Sequence, residues 1–268
     1  MIKINKLKIE NTRFPNGEIK LNEEQIREGA ERYRRDALIE FYYRGDESLL
    51  ELYLVVKYIQ DIYENKVVCI YFVYLPYSRQ DRQVELSAFT LKYITDWINS
   101  WGVLSVNIGE PHSDVGIALV SGVRESLTED LFNDIKNAIG FDVDKDVLFF
   151  PDAGAQKRYS SLKAPHLVGF KHRDWETGEI ASLEVCGKVP EAGFTAVIVD
   201  DLCSFGGTFL HSARKLKELG AGKIYLIVAH CENNILKGEL LDSGLIERVY
   251  TTNSIFTEEH DLITVKEI

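Results

Sequence analysis

The stretch Thr195–Leu210, TAVIVDDLCSFGGTFL, gathers the residue types best suited to chemistry. An apolar run ends in two adjacent acids, Asp200 and Asp201. A short loop containing Gly206 and Gly207 then opens a helical pattern. The paired carboxylates can accept hydrogen bonds from the vicinal hydroxyls of a ribose. Gly206 and Gly207 let the backbone approach a ligand closely, and N–H groups at a helix start face an anion. The Thr208 hydroxyl can donate to an oxyanion. A plain strand-to-helix turn with an acidic cap is the competing explanation. The order of apolar run, acid pair, four residues and GGT is too particular for that. The pattern therefore suits a phosphorylated sugar.

Such a site needs a strand to carry the acids and a helix to receive the loop. Apolar runs at Val67–Tyr74, Val103–Ile108, Val147–Phe150, Ala196–Val199 and Lys223–Ala229 read as strands covered on both faces. Between them, Ser48–Tyr63 places Leu49, Leu52, Val56 and Ile59 at helical spacing, and Ala88–Trp101 repeats the pattern. Thr208–Leu219 reads as a helix stopped by Gly220. Alternating strands and helices predict an α/β fold with largely parallel sheets. One unit is expected over residues 1–125 and a second over 126–268. The second opens with a connection, Leu127–Asp146, that carries a helix at Glu129–Ile139. Phe170–Gly187 reads as a hairpin or a mobile loop.

Composition narrows the partners. The 268 residues are 45% hydrophobic and 27% charged, an ordinary globular balance that excludes a disordered tail or a disulfide-stapled module. The net charge of −11 argues against nucleic acid as a partner. It leaves room for a phosphorylated small molecule held by local Arg and Lys. No apolar run approaches the ~20 residues of a membrane span, and MIKINKLKIENTRF lacks the apolar block of a signal peptide. A cytoplasmic protein without a membrane partner is expected. Cys69, Cys186, Cys203 and Cys231 form no CxxC pair and are expected as buried thiols.

Thr195–Leu210 resembles the ribose-phosphate loop of type I phosphoribosyltransferases and of phosphoribosyl diphosphate (PRPP) synthetases. Other stretches separate these relatives. Tyr77–Arg82, YSRQDR, resembles the RQDR signature of the synthetases, which implies that Arg79, Gln80, Asp81 and Arg82 contact ATP. FPNGE resembles their FxDGE segment, implying that Phe14, Asn16 and Glu18 reach the adenine of ATP bound by a neighbouring subunit. His112 in EPHSD stands where the family has a DLH motif, and Asp152 in FFPDAGAQKR matches the acid of its SPDxGG motif. Both are thereby implied at the magnesium. Lys171 and Arg173 in FKHRD match the basic pair of the family's catalytic loop. Asp200, Asp201, Ser204, Phe205, Gly206, Gly207 and Thr208 are implied to hold the ribose and its 5-phosphate.

What the resemblance implies is a ribose-phosphate diphosphokinase built from two phosphoribosyltransferase-like units. The active site is expected between them, with ATP on the first and the sugar phosphate on the second. Mg²⁺ is the implied cofactor and a homo-oligomer, at least a dimer, the implied assembly. The anomeric hydroxyl of the sugar would attack the β-phosphorus of ATP and release AMP. A PRPP-consuming transferase would need neither RQDR nor FPNGE. A non-catalytic synthetase-associated regulator would not need Lys171, Arg173, His112 and Asp152.

Four departures bear on the acceptor and the assembly. The family's phosphate loop reads DDxxDTGGT, whereas here Ser204 and Phe205 replace its Asp and Thr. Either Phe205 turns into the core, or its ring serves a 5-phosphate bearing a further group, as in ADP-ribose. Some phage-type relatives are similar in using that sugar to rebuild NAD⁺. Both acceptors, ribose 5-phosphate and ADP-ribose, are kept. Asn16 stands for the usual Asp. A first strand and helix are expected to be missing ahead of Phe14, and a last helix beyond Ile268. These trims put the usual interfaces and the allosteric site built on them in doubt.

Overall fold

Each apolar run becomes a strand in one of two sheets, and each helical pattern covers a face of one. The computed structural model describes residues 1–120, 122–173 and 180–268; at 124, 171–173 and 180–182 it describes the backbone alone. The chain divides into two units, Met1–Glu125 and Ser126–Ile268.

In the first unit, β1 (Ile2–Ile4) and β2 (Leu7–Ile9) form an antiparallel ribbon, and β3 (Thr12–Arg13) and β4 (Ile19–Lys20) form another. Then come α1 (Glu23–Glu31), β5 (Asp36–Phe41), α2 (Asp46–Ile62) and β6 (Val67–Phe72). They are followed by α3 (Thr90–Asn99), β7 (Ser105–Gly109), α4 (Asp114–Leu119) and β8 (Arg124–Glu125). The sheet order is β2-β1-β5-β6-β7-β8, parallel from β5 onward. Helix α2 buries Leu49, Leu52, Val56 and Ile59, the face its spacing predicts. It starts at Asp46, ahead of the expected Ser48, because Gly45 at φ 100° turns the chain into it. Three short strands, β1, β2 and β3, precede Phe14, with no helix among them, and the chain turns back between β1 and β2 through Asn5 and Lys6.

The second unit runs α5 (Leu127–Ile135), β9 (Val147–Phe150), α6 (Ala153–Arg158), β10 (His166–Arg173) and β11 (Ile180–Cys186). It continues with β12 (Thr195–Cys203), α7 (Gly207–Glu218), β13 (Lys223–Cys231), β14 (Arg248–Thr252) and β15 (Ile263–Lys266). The sheet order is β11-β10-β9-β12-β13-β14-β15, parallel except for β10 with β11. Phe170–Gly187 thus supplies two hairpin arms; residues 174–179 lie outside the described residues. Apolar clusters cover both faces of this sheet, one around Phe149, Ile198 and Leu226, the other around Phe150, Val199 and Ile227. Each such fully buried side chain stabilises the fold by about 1.5–3 kcal/mol. Helix α7 ends as its sequence predicts. Gly220, at φ 97°, donates to Lys217 O, and Ala221 donates to Leu216 O, both at 3.0 Å. Of the thiols, Cys203 and Cys231 are buried, but Cys69 is half-buried and Cys186 is exposed on edge strand β11, contrary to expectation.

Candidate active site

The order of the second sheet creates a switch point. From β9 the chain passes through α6 to β10 on one side, and from β12 through α7 to β13 on the other. Crevices at the carboxyl ends of such strands are where open α/β sheets bind ligands. Asp152 follows β9, and Asp200 and Asp201 sit near the end of β12. Asp152 caps α6, its Oδ1 accepting from Ala155 N at 3.0 Å. At the other end of that helix Arg158 reaches the acid pair. Its Nη1 lies 2.5 Å from Asp201 Oδ1 and 3.5 Å from Asp200 Oδ1. All three side chains are at most 16% exposed.

One guanidinium beside three acids leaves the site over-supplied with negative charge. Burial pushes the Asp200 carboxyl well above the usual carboxylate range, and Asp201 and Asp152 push it further, against the pull of Arg158. Burial opposes the charge on Arg158, but Asp201, Tyr159 and Asp200 hold its pKa above the ordinary value. Helix α6 is anchored at this end by Tyr159, which is fully buried and stacks on Phe150 at 6.3 Å.

The loop after β12 has the shape its glycines predict. Gly206 takes φ 84°, and a Cβ there would lie 2.9 Å from Leu240 Cβ. A Cβ on Gly207 would meet nothing within 4 Å, so the first turn of α7 faces open space. Phe205 is 54% exposed, which removes the core-packed alternative. Ser204 Oγ donates to Glu232 Oε2 at 2.6 Å. Lys171 and Arg173 lie on β10, but their side chains are outside the described residues.

In the first unit Arg79–Arg82 and His112 also lie beyond carboxyl strand ends, those of β6 and β7. Arg79, Gln80, Asp81 and Arg82 lie between β6 and α3, with Arg79, Gln80 and Arg82 exposed. Arg79 and Gln80 line a cavity of about 450 Å³ together with Tyr43, Asp46, Tyr74, Pro76 and Tyr77. Asp81 and Arg82 are not among its lining residues. The hydroxyls of Tyr43 and Tyr77 both donate to Asp46 Oδ1 at 2.7 Å. Those bonds hold the Asp46 carboxyl below its ordinary range. His112 is half-buried beyond β7, where Glu110 at φ 39° makes the sharp exit. FPNGE forms the turn between β3 and β4. Phe14 is 47% exposed at its start, and Asn16 Oδ1 accepts from Glu18 N at 3.2 Å. Asn16 therefore supplies the turn-closing acceptor that an Asp would.

Asp152 offers the carboxylate oxygens that Mg²⁺ prefers, whereas the His112 imidazole is a poor direct ligand for it. Among the described residues no cluster of three or more His, Cys, Asp or Glu is arranged to hold a metal. A larger cavity of about 660 Å³ lies at the opposite, amino-terminal ends of β9 and β12, and none of the predicted residues line it.

Sequence reasoning missed Arg158, Glu232 and the Tyr43–Asp46–Tyr77 triad. Arg158 stood in the quoted FFPDAGAQKR, but its partners lie more than 40 positions onward. Glu232 is separated from Ser204 by 28 positions.

Three comparisons bear on this arrangement. A family model described as phosphoribosyl synthetase-associated domain matches residues 173–267. The chain is 30% identical over 266 residues to a ribose-phosphate pyrophosphokinase of Sulfolobus acidocaldarius, covering 93% of this chain and 85% of that one. It is 29% identical over 278 residues to a ribose-phosphate pyrophosphokinase of Sulfurisphaera tokodaii, covering 100% and 91%. The crystal structure of phosphoribosylpyrophosphate synthetase from Mycobacterium smegmatis superposes with a TM-score of 0.75 at 21% identity, covering 97% of this chain and 86% of that one. At that identity the match speaks for the fold.

Proposed function

The chain belongs to the ribose-phosphate pyrophosphokinase family, and on that premise we propose that it moves the β,γ-diphosphoryl group of ATP to the anomeric hydroxyl of a ribose 5-phosphate moiety. It is an enzyme, an ATP-dependent diphosphotransferase, and its α/β units are of the phosphoribosyltransferase-like kind. The observation that carries the proposal is the Arg158-bound pair Asp200 and Asp201 at the switch point, directly ahead of the Gly206–Gly207 turn.

In this reading Asp200 and Asp201 accept hydrogen bonds from the ribose hydroxyls, which fixes the ring and aims its C1 hydroxyl. The loop from Ser204 through Thr208 holds the 5-phosphate. Arg79, Gln80, Asp81 and Arg82 hold ATP, with Phe14, Asn16 and Glu18 supplied by a neighbouring copy of the chain. Lys171 and Arg173 lie against the transferring phosphoryl group and offset the charge that spreads over its oxygens. His112 and Asp152 would orient the magnesium nucleotide, Asp152 by offering carboxylate oxygens. Mg²⁺, when bound, neutralises phosphate charge. The chain performs no covalent chemistry itself. It positions two substrates for in-line attack.

The names of the relatives favour free ribose 5-phosphate as the acceptor and PRPP as the product. The exposed ring of Phe205 favours ADP-ribose, whose adenosine could lie against it. The test is product mass. With Mg–ATP and an acceptor, AMP and the sugar 1-diphosphate should form in equal amounts. Release of ADP would mean single phosphoryl transfer and overturn the proposal.

A further inference from the structure

Glu232 follows the last residue of β13 and turns its carboxylate onto the loop that leads into α7. Ser204 Oγ donates to its Oε2 at 2.6 Å, and Asn234 Nδ2 donates to the same oxygen at 3.1 Å. The backbone fixes it there, since Glu232 N donates to Cys203 O at 2.8 Å. Two effects follow. The proton of the Ser204 hydroxyl is committed to Glu232, so this hydroxyl does not present it to a phosphate. A negative charge also flanks the place where the phosphate would lie.

A phosphate monoester carries nearly two charges at neutral pH, because its second pKa is about 6. In ADP-ribose the 5-phosphate itself carries one charge, and the second charge lies farther out, on the next phosphorus. Repulsion scales with the product of the charges and falls with distance, so a carboxylate beside the 5-phosphate penalises the monoester more than the diphosphate, whose second charge is farther away. We infer that Glu232 is a specificity-determining residue, selecting an acceptor whose 5-phosphate is esterified with a second group over one whose 5-phosphate is free. Phe205, 54% exposed in the same loop, gives that second group an apolar surface. The inference rests on the reading that this loop holds the acceptor's 5-phosphate.

Calorimetric binding of ribose 5-phosphate and of ADP-ribose to the full chain tests it, with AMP release measured on the same samples. Glu232→Gln keeps the hydrogen bond to Ser204 and removes the charge. It should tighten ribose 5-phosphate about tenfold and ADP-ribose by a smaller factor, about threefold to fivefold. Ser204→Ala keeps the charge and should keep the wild-type preference. Equal changes for both sugars in Glu232→Gln, or a Ser204→Ala variant that behaves like it, would reduce Glu232 to a loop-packing role. If AMP is still released and the preference does not move, the role of Glu232 falls and the diphosphokinase reading stands. If neither sugar binds the folded wild-type chain, both fall.

Discussion

At the scale of single residues, Asp200 sets sugar binding against stability. Its carboxyl is buried against Asp201 and Asp152, and its pKa is raised for that reason. A raised native pKa means that the folded chain holds this proton more tightly than the unfolded chain does. Between the ordinary value, about 4, and the raised one, stability therefore declines as pH rises. Asp200→Asn removes that cost and keeps an oxygen for the Asp201 N–H, which now donates to Asp200 Oδ1 at 3.0 Å. The variant should be more stable at neutral pH by about 1 kcal/mol, a rise of roughly 2–4 °C in Tm. It should also lose turnover by orders of magnitude, because the ribose loses a charged acceptor. Thermal melts at pH 5 and pH 8 check the sign, since the gain over wild type should be larger at pH 8. Arg158 explains why so costly a pair persists at all. Removing it would leave two largely buried carboxylates without their cation, a loss of about 3–5 kcal/mol.

At the scale of elements, the phosphate loop is shaped by a segment that no local pattern connects to it. A Cβ on Gly238 would lie 1.9 Å from Phe205 O, a backbone atom that cannot swing aside. Gly238→Ala must therefore displace the loop, costing about 1–3 kcal/mol and raising the acceptor KM. Gly207→Ala is the contrast. Its Cβ meets nothing within 4 Å, so stability should hold while the new methyl stands where a phosphate approaches. Tm and KM measured together separate the two, and an unchanged KM in Gly238→Ala would show that the loop does not depend on that contact. The strands and helices themselves were legible. Val147–Phe150 is β9 as read, and Gly220 stops α7 as read, because burial on both faces and a left-handed stop leave local marks. β12 and β13 run past their expected ends, to Cys203 and Cys231. The extra residues are partly polar, Asp200 and Asp201 of the site on β12 and the buried His230 on β13, and a search for apolar runs discards them.

At the scale of the whole molecule, the charge that argued against nucleic acid also bears on the proposed reaction. The chain carries −11, and both proposed substrates are anions. Local charge can outweigh net charge when a basic cleft focuses the field. On the acceptor side, among the described side chains, Asp152, Asp200 and Asp201 stand beside Arg158, and Glu232 beside Ser204. That balance was hidden from the sequence. The acid pair was legible as a motif, but Arg158 and Glu232 join it only through the parallel pairing of β9, β12 and β13. Where these acids set the field that the sugar phosphate meets, its sign agrees with the net charge, and salt should relieve the repulsion. Raising KCl from about 10 to about 150 mM shortens the Debye length from roughly 30 to roughly 8 Å. With free Mg²⁺ held constant, the acceptor KM should fall about twofold over that range. A KM that instead climbs steeply with salt would place a dominant basic field at the acceptor site, and the acids around Asp200 would then not govern how the sugar phosphate approaches.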